Sequence, residues 1–287
     1  MLQSVAAQLV KAEISLDPRD LVSAIYGLCK FHFNEDTGRT LGILSSRVRR
    51  NLSAYNLDDL SQVISSLARV GVCNRPLVSD VVSLISQSRL TVLSNQSISN
   101  LMTGLARFGA KSCPKHPIWE TFGEEIVLRL QTDSEWTVPD LLATILAYSS
   151  AAFPKRDVTD RLFSSVSHYL LSESIVLDQA GVSKYLKACS RVEFRDVEML
   201  AKCAFSLRHC PEFFTLTDTR DLLQIYTNLD KLGVDMKDLE EELRNRNISI
   251  PASKPATWFP QKTSSKPGKP LNVSKQSDSL RKRKYSW

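Results

Sequence analysis

Residues 59–72 read DLSQVISSLARVGV, and a phrase of the same grammar returns five more times along the chain. The other copies are DLVSAIYGLCKFHF from Asp20, SISNLMTGLARFGA from Ser97, DLLATILAYSSAAF from Asp140, GVSKYLKACSRVEF from Gly181 and DLLQIYTNLDKLGV from Asp221. Counting the first apolar residue of each as position zero gives Leu21, Leu60, Ile98, Leu141, Val182 and Leu222, separated by 39, 38, 43, 41 and 40 residues. Within a copy the apolar residues fall at 0, +3, +4 and +7, as in Leu60, Val63, Ile64 and Leu67, which is one face of a 3.6-residue helix. A period near forty residues filled by helices is the signature of stacked helix pairs. The expected fold is therefore all-α: an α-solenoid of about six helix-pair repeats, wound as a right-handed superhelix. Such a chain presents a long surface and not a pocket.

Punctuation agrees with this reading. Four copies open on Asp and one on Ser, residues that cap a helix by accepting from an orphan amide. Gly71, Gly109 and Gly233 stand at +11, where a left-handed C-terminal cap wants glycine. A second amphipathic helix follows in each unit, exemplified by residues 75–87, 116–130 and 157–171, with Pro76, Pro117 and Pro154 in or beside the connections. Its apolar face finds cover only between neighbouring units, so the repeats must stack.

Three segments are expected. Residues 1–15 place Leu2, Val5, Leu9 and Val10 on one face, as a capping half-repeat would. A mitochondrial transit peptide is the rival, but it would be Arg-rich and acid-poor, and this stretch carries only Lys11 before Glu13. Residues 16–250 form the repeat domain, ending in a highly charged helix at 236–247 suited to a solvent-facing cap. Residues 251–287 turn to Pro, Lys and Ser and are expected to be disordered.

The net charge of +6 divides unequally, with +8 in residues 251–287 and −2 in the remainder. Any nucleic-acid argument for the folded part must rest on where its charges stand. They stand in a pattern. Positions +2, +5 and +9 lie opposite the apolar stripe, at roughly 140–200° from position zero. At +9 the copies carry Lys30, Arg69, Arg107, Ser150, Arg191 and Lys231. At +2 they carry Ser23, Gln62, Asn100, Ala143, Lys184 and Gln224, and at +5 Tyr26, Ser65, Thr103, Leu146, Lys187 and Thr227. A column of cations beside a column of amides suits single-stranded RNA, whose phosphates and exposed base edges they can meet. The competing explanation is that a cation in the last turn complements the helix dipole for about 0.3–1 kcal/mol. It accounts for +9 equally well, but not for the amides at +2 or for Lys184, Lys187 and Arg191 on one helix. The apolar break at Ala143 and Leu146 is either a protein contact or a neutral filler.

The phrases LARVG at 67–71 and LARFG at 105–109, each behind an Asp/Ser-Leu/Ile helix start, resemble the repeats of organellar RNA-binding proteins of the octotricopeptide-like and FAST-kinase-like families, with their relatives that carry a RAP domain. The resemblance covers about residues 16–250, and no RAP-like domain is visible. It implies binding of organellar transcripts or ribosomal RNA in processing, editing, stability or translation, and a mitochondrial location; a nuclear location is the alternative.

Enzyme chemistry is not expected. The sequence contains no phosphate loop, no G-x-S-x-G and no H-E-x-x-H. The spacing of Cys189, Cys203, His209 and Cys210 matches no common zinc pattern. Asp58, Asp59, Glu124, Glu125 and 240–242 read as caps and solvated faces. No cofactor, metal, small-molecule substrate or membrane span is expected, and the six cysteines read as small hydrophobes. The expected function is non-catalytic RNA binding; a protein-interaction scaffold within a mitoribosome or RNA-editing complex is the alternative. The RNA contacts would come from Lys30, Gln62, Arg69, Asn100, Arg107, Lys184, Lys187, Arg191, Gln224 and Lys231. In the tail, Arg281, Lys282, Arg283 and Lys284, flanked by Tyr285 and Trp287, would add a non-specific anchor.

Overall fold

A computed structural model describes residues 16–30, 35–87, 90–108, 117–132, 135–151, 155–173, 175–208 and 219–234, together with Lys237, Glu241, Arg244 and Asn245. The proposed half-repeat at 1–15 and the basic tail at 251–287 lie outside the described residues, as do Gly109 and Pro154. Contacts divide the chain into Met1–Pro251 and Ala252–Trp287, and everything described belongs to the first unit.

The described residues are all-helical, without a strand. The α-helices are α1 (Pro18–Lys30), α2 (Glu35–Arg50), α3 (Leu57–Arg69), α4 (Arg75–Gln87), α5 (Asn95–Phe108), α6 (Ile118–Gln131), α7 (Val138–Ser150), α8 (Arg156–Ser172), α9 (Gln179–Val192), α10 (Val197–Arg208) and α11 (Thr219–Lys231). Short 3-10 turns at Leu52–Ala54 and Leu90–Val92 lead into α3 and α5. No helix among the described residues is long and apolar enough to cross a membrane. The odd-numbered helices hold the recurrent phrase and pack one on the next from α1 to α11. Among the even ones, α2 packs on α4 and α6 on α8. The apolar positions read from the phrase are buried in a continuous core: Ile25, Ile64, Ile98, Ile145, Leu186 and Leu222 have no exposed surface. Burying each contributes about 1.5–3 kcal/mol.

The helix starts need correction. The Asp or Ser that opens five of the six phrases is not the N-cap but sits one turn inside. The caps are Asn56, Ser94, Thr137 and Asp178, whose side chains accept from the backbone N–H of Asp59 (2.7 Å), Ser97 (3.1 Å), Asp140 (3.3 Å) and Gly181 (2.7 Å). All four lie at −4, where the other two copies carry Asp17 and Asp218. The third helical position favours acids for the same reason the cap does, the positive end of the helix dipole. Ahead of each of these four caps, at −5, stands a buried apolar residue: Tyr55, Leu93, Trp136 and Leu177. That spacing is a hydrophobic staple reaching position zero.

The C-terminal ends follow expectation at Gly71 (φ +76°) and Gly233 (φ +73°). In both, and at α9, the N–H at +12 bonds the carbonyl at +7: Val72 to Leu67, Phe194 to Cys189 and Val234 to Leu229, at 3.0–3.1 Å. This is the Schellman arrangement. Copy five achieves it with Glu193 at φ 56°, a left-handed residue that is not glycine.

Neighbouring odd helices meet through position +6, which is Gly27, Ser66, Gly104, Ala147, Ala188 and Asn228. A Cβ on Gly104 would stand 2.8 Å from Ile64 Cγ2 and 3.2 Å from its carbonyl carbon. Asn228 Oδ1 accepts from Ser190 Oγ of α9 at 3.0 Å. Position +6 therefore faces the preceding odd helix. Small residues there let the helix backbones approach.

Candidate nucleic-acid interface

Every side chain of the outward stripe lies on the surface. The six +9 residues are exposed, and all those at +2 and +5 are exposed or half-buried. Lys30, Arg69, Arg107, Arg191 and Lys231 form the C-terminal edge of the odd row. Asp20, Asp58, Asp59, Asp140, Asp178 and Asp221 sit at its N-terminal edge. Ten residues at about 1.5 Å each separate an acidic rail from a basic one by about 15 Å. A polyanion is repelled by the first and attracted by the second.

Parts of the basic rail are in contact. Arg191 donates through Nη1 to the Oγ of Ser150, so the neutral residue of copy four is tied into the column by the next cation. At the other end, Lys30 Nζ lies 4.4 Å and Arg69 Cζ 5.9 Å from the Tyr26 ring centroid. The Lys30 ammonium, bonding to the phenol oxygen, lowers the Tyr26 pKa, with smaller contributions from burial in the opposite direction and from the charges of Lys30 and Arg69. Lys184 and Lys187 are half-buried on α9 and share a face with exposed Arg191.

The amide column is less available than its sequence suggests. Gln62 Nε2 donates to Ser66 Oγ at 3.4 Å, and Gln224 Nε2 to Asn228 Oδ1 at 3.2 Å. Each retains a carbonyl and a second N–H for a ligand. Asn100 is half-buried. The break in copy four is partly core: Leu146 packs against the buried cluster. Arg281, Lys282, Arg283 and Lys284 lie outside the described residues.

Tyr26 was legible as a member of the +5 column, but nothing local marked it as the meeting point of cations from two helices. Glu125 corrects the sequence reading. Its side chain is 12% exposed, and its Oε1 accepts from Arg129 Nε at 2.7 Å. Glu124 is solvated as expected. Asp58 reaches across to Ser94, accepting from both its N–H and its hydroxyl at 3.5 Å.

Cys29, Cys189 and Cys203 are buried. Desolvation pushes their thiols up, to about 11 for Cys29 and about 12 for Cys203, and Cys189 rises further. A thiol held neutral is a poor nucleophile and a poor ligand. His209 and Cys210 lie outside the described residues, and no three metal-ligating side chains converge among those described. Open grooves run between even helices. One is lined by Ser46, Arg49, Arg50, Asn74, Pro76 and Asp80, with Arg49 Nε bonded to Asp80 Oδ2 at 2.6 Å.

Compared with known protein families and with curated proteins, the chain matches none.

Proposed function

We propose that this chain is an α-solenoid of about six stacked helix pairs that binds single-stranded RNA in mitochondria. It acts without catalysis, in the processing, editing, stability or translation of organellar transcripts or ribosomal RNA. The observation that carries this reading is the +9 column: five cations and one serine, all exposed, on the edge of the odd row opposite its carboxylates. A row with carboxylates along one edge and cations along the other draws a polyanion toward its cationic side. The basic segment 251–287 is an anchor that adds phosphate contacts through Arg281, Lys282, Arg283 and Lys284.

Reversing Lys184, Lys187 and Arg191 to Glu tests the reading. Binding of a single-stranded RNA should weaken at least tenfold at 100 mM salt. Three lost phosphate contacts, at about 0.7 each, should make the slope of log affinity on log salt shallower by about 2. A folded triple variant that binds as wild type does would remove the stripe as the RNA surface.

A second reading is favoured by apolar surface on the even helices, where Ile43, Leu128 and Phe205 are 42%, 51% and 60% exposed. On this reading the chain is a scaffold subunit of a mitoribosome or an RNA-editing complex, with little RNA affinity of its own. Protein partners that stay bound to the purified complex after nuclease digestion would favour it.

A further inference from the structure

We infer that Tyr26, with Lys30 and Arg69, forms a nucleotide subsite in which an unpaired RNA base stacks on the tyrosine ring while the two cations take the flanking phosphates. The inference rests on the RNA-binding reading above and specifies one contact within it.

The geometry begins with the row itself. Tyr26 stands at +5 of α1 and Arg69 at +9 of α3, and the ring of the first reaches the guanidinium of the second across the helix pair. The repeat-equivalent pairs are Ser65 with Arg107, Thr103 with Ser150, Leu146 with Arg191, and Lys187 with Lys231. Only the first pair offers an aromatic face. Tyr26 is half-buried, so its ring is held by the helix surface yet open to solvent, and both cations beside it are exposed.

A cation over an exposed ring is held weakly because water competes for the charge. A nucleotide satisfies all three groups at once. Its base replaces the Lys30 ammonium on the ring face, and the ammonium, on a flexible four-carbon stem, moves to a phosphate. Arg69 holds the neighbouring phosphate from α3. Stacking on one aromatic is tolerant of base identity, since every base has a π-face. The subsite therefore strengthens binding without reading sequence.

The test uses the full chain and a twelve-nucleotide single-stranded RNA of mixed sequence carrying one 2-aminopurine. Affinity is read by anisotropy and stacking by quenching of the 2-aminopurine. Tyr26→Phe keeps the ring and should bind within twofold of wild type. Tyr26→Leu should bind about five- to tenfold more weakly and quench less. Lys30→Gln and Arg69→Gln should each make the salt slope shallower by about 0.7. A measurement on the unaltered protein stands beside these: ultraviolet cross-linking followed by trypsin should label the peptide of residues 20–30, which holds Tyr26. If Tyr26→Leu binds and quenches as wild type does, or if that peptide is never labelled while RNA binds, the subsite is wrong and the RNA surface stands. If wild type binds no RNA at low salt, the RNA reading itself fails and the subsite falls with it.

Discussion

Gly104 lies against Ile64 so closely that a methyl group on its Cα would stand 2.8 Å from Ile64 Cγ2. Two odd helices, α3 and α5, approach each other through that pair. The same repeat position in α1 is Gly27, and there a Cβ would meet nothing within 4 Å. One repeat position thus predicts two opposite outcomes. Gly104→Ala should destabilise by about 1–3 kcal/mol, because the neighbour in the way includes backbone. Gly27→Ala should stabilise by about 0.5–1 kcal/mol, the helix-propensity gain of alanine over glycine. Urea midpoints of the two variants check both, and equal shifts would contradict the packing.

Arg129 is 12% exposed and makes three bonds. Nε donates to Glu125 Oε1 at 2.7 Å, Nη1 to Asn95 Oδ1 at 2.7 Å and Nη2 to Leu90 O at 2.8 Å. It ties α6 to the turn and helix start at 90–95. Arg129→Met leaves the Glu125 carboxylate buried without its cation and should cost about 3 kcal/mol. Adding Glu125→Leu should recover much of that loss. A double variant no better than Arg129→Met alone would show that the damage lies elsewhere.

Glu193 holds φ 56° at the end of α9, where Gly71 and Gly233 serve the equivalent turns. A left-handed residue with a Cβ costs roughly 1–2 kcal/mol. Arg156 offsets part of that by donating to the carbonyls of Val192 (2.6 Å) and Glu193 (3.3 Å). Glu193→Gly should raise stability by about 1 kcal/mol, and a lower melting temperature would show that the Glu193 side chain makes a compensating contact.

The buried thiols set an alkaline limit. Folding favours their neutral form, so the folded chain keeps protons that the unfolded chain sheds above about 9, the ordinary thiol value. Their contribution is complete below pH 9 and is lost as pH rises through about 11 for Cys29 and about 12 for Cys203. Urea midpoints should fall between pH 9 and 10.5. The fall should be smaller in a Cys29→Ala/Cys203→Ala double variant, which costs about 1 kcal/mol per site at neutral pH. An unchanged slope in that variant would assign the alkaline loss to the groups that remain: the Cys189 thiol, which burial raises further still, and the buried phenols of Tyr148 and Tyr185.

The helices were legible in the sequence because helix formation reads positions three and four apart, and the spacing of Leu60, Val63, Ile64 and Leu67 states that period directly. Gly71 and Gly233 were legible because a left-handed turn selects glycine by backbone sterics alone. The three-residue error at the helix starts was also local. Aspartate at the cap and aspartate one turn inside answer to the same dipole, so Asp59 stood in for Asn56.

What the sequence by itself determined was which face of each odd helix is apolar and which carries the cations, since both follow from spacing along one helix. Only the tertiary structure decided which of those helices touch, and through which residues. The close approach of Gly104 to Ile64, the reach of Arg129 to Asn95 and Leu90, and the meeting of Arg69 with Tyr26 each join residues of different elements. Their energies depend on distances that no spacing along the chain encodes.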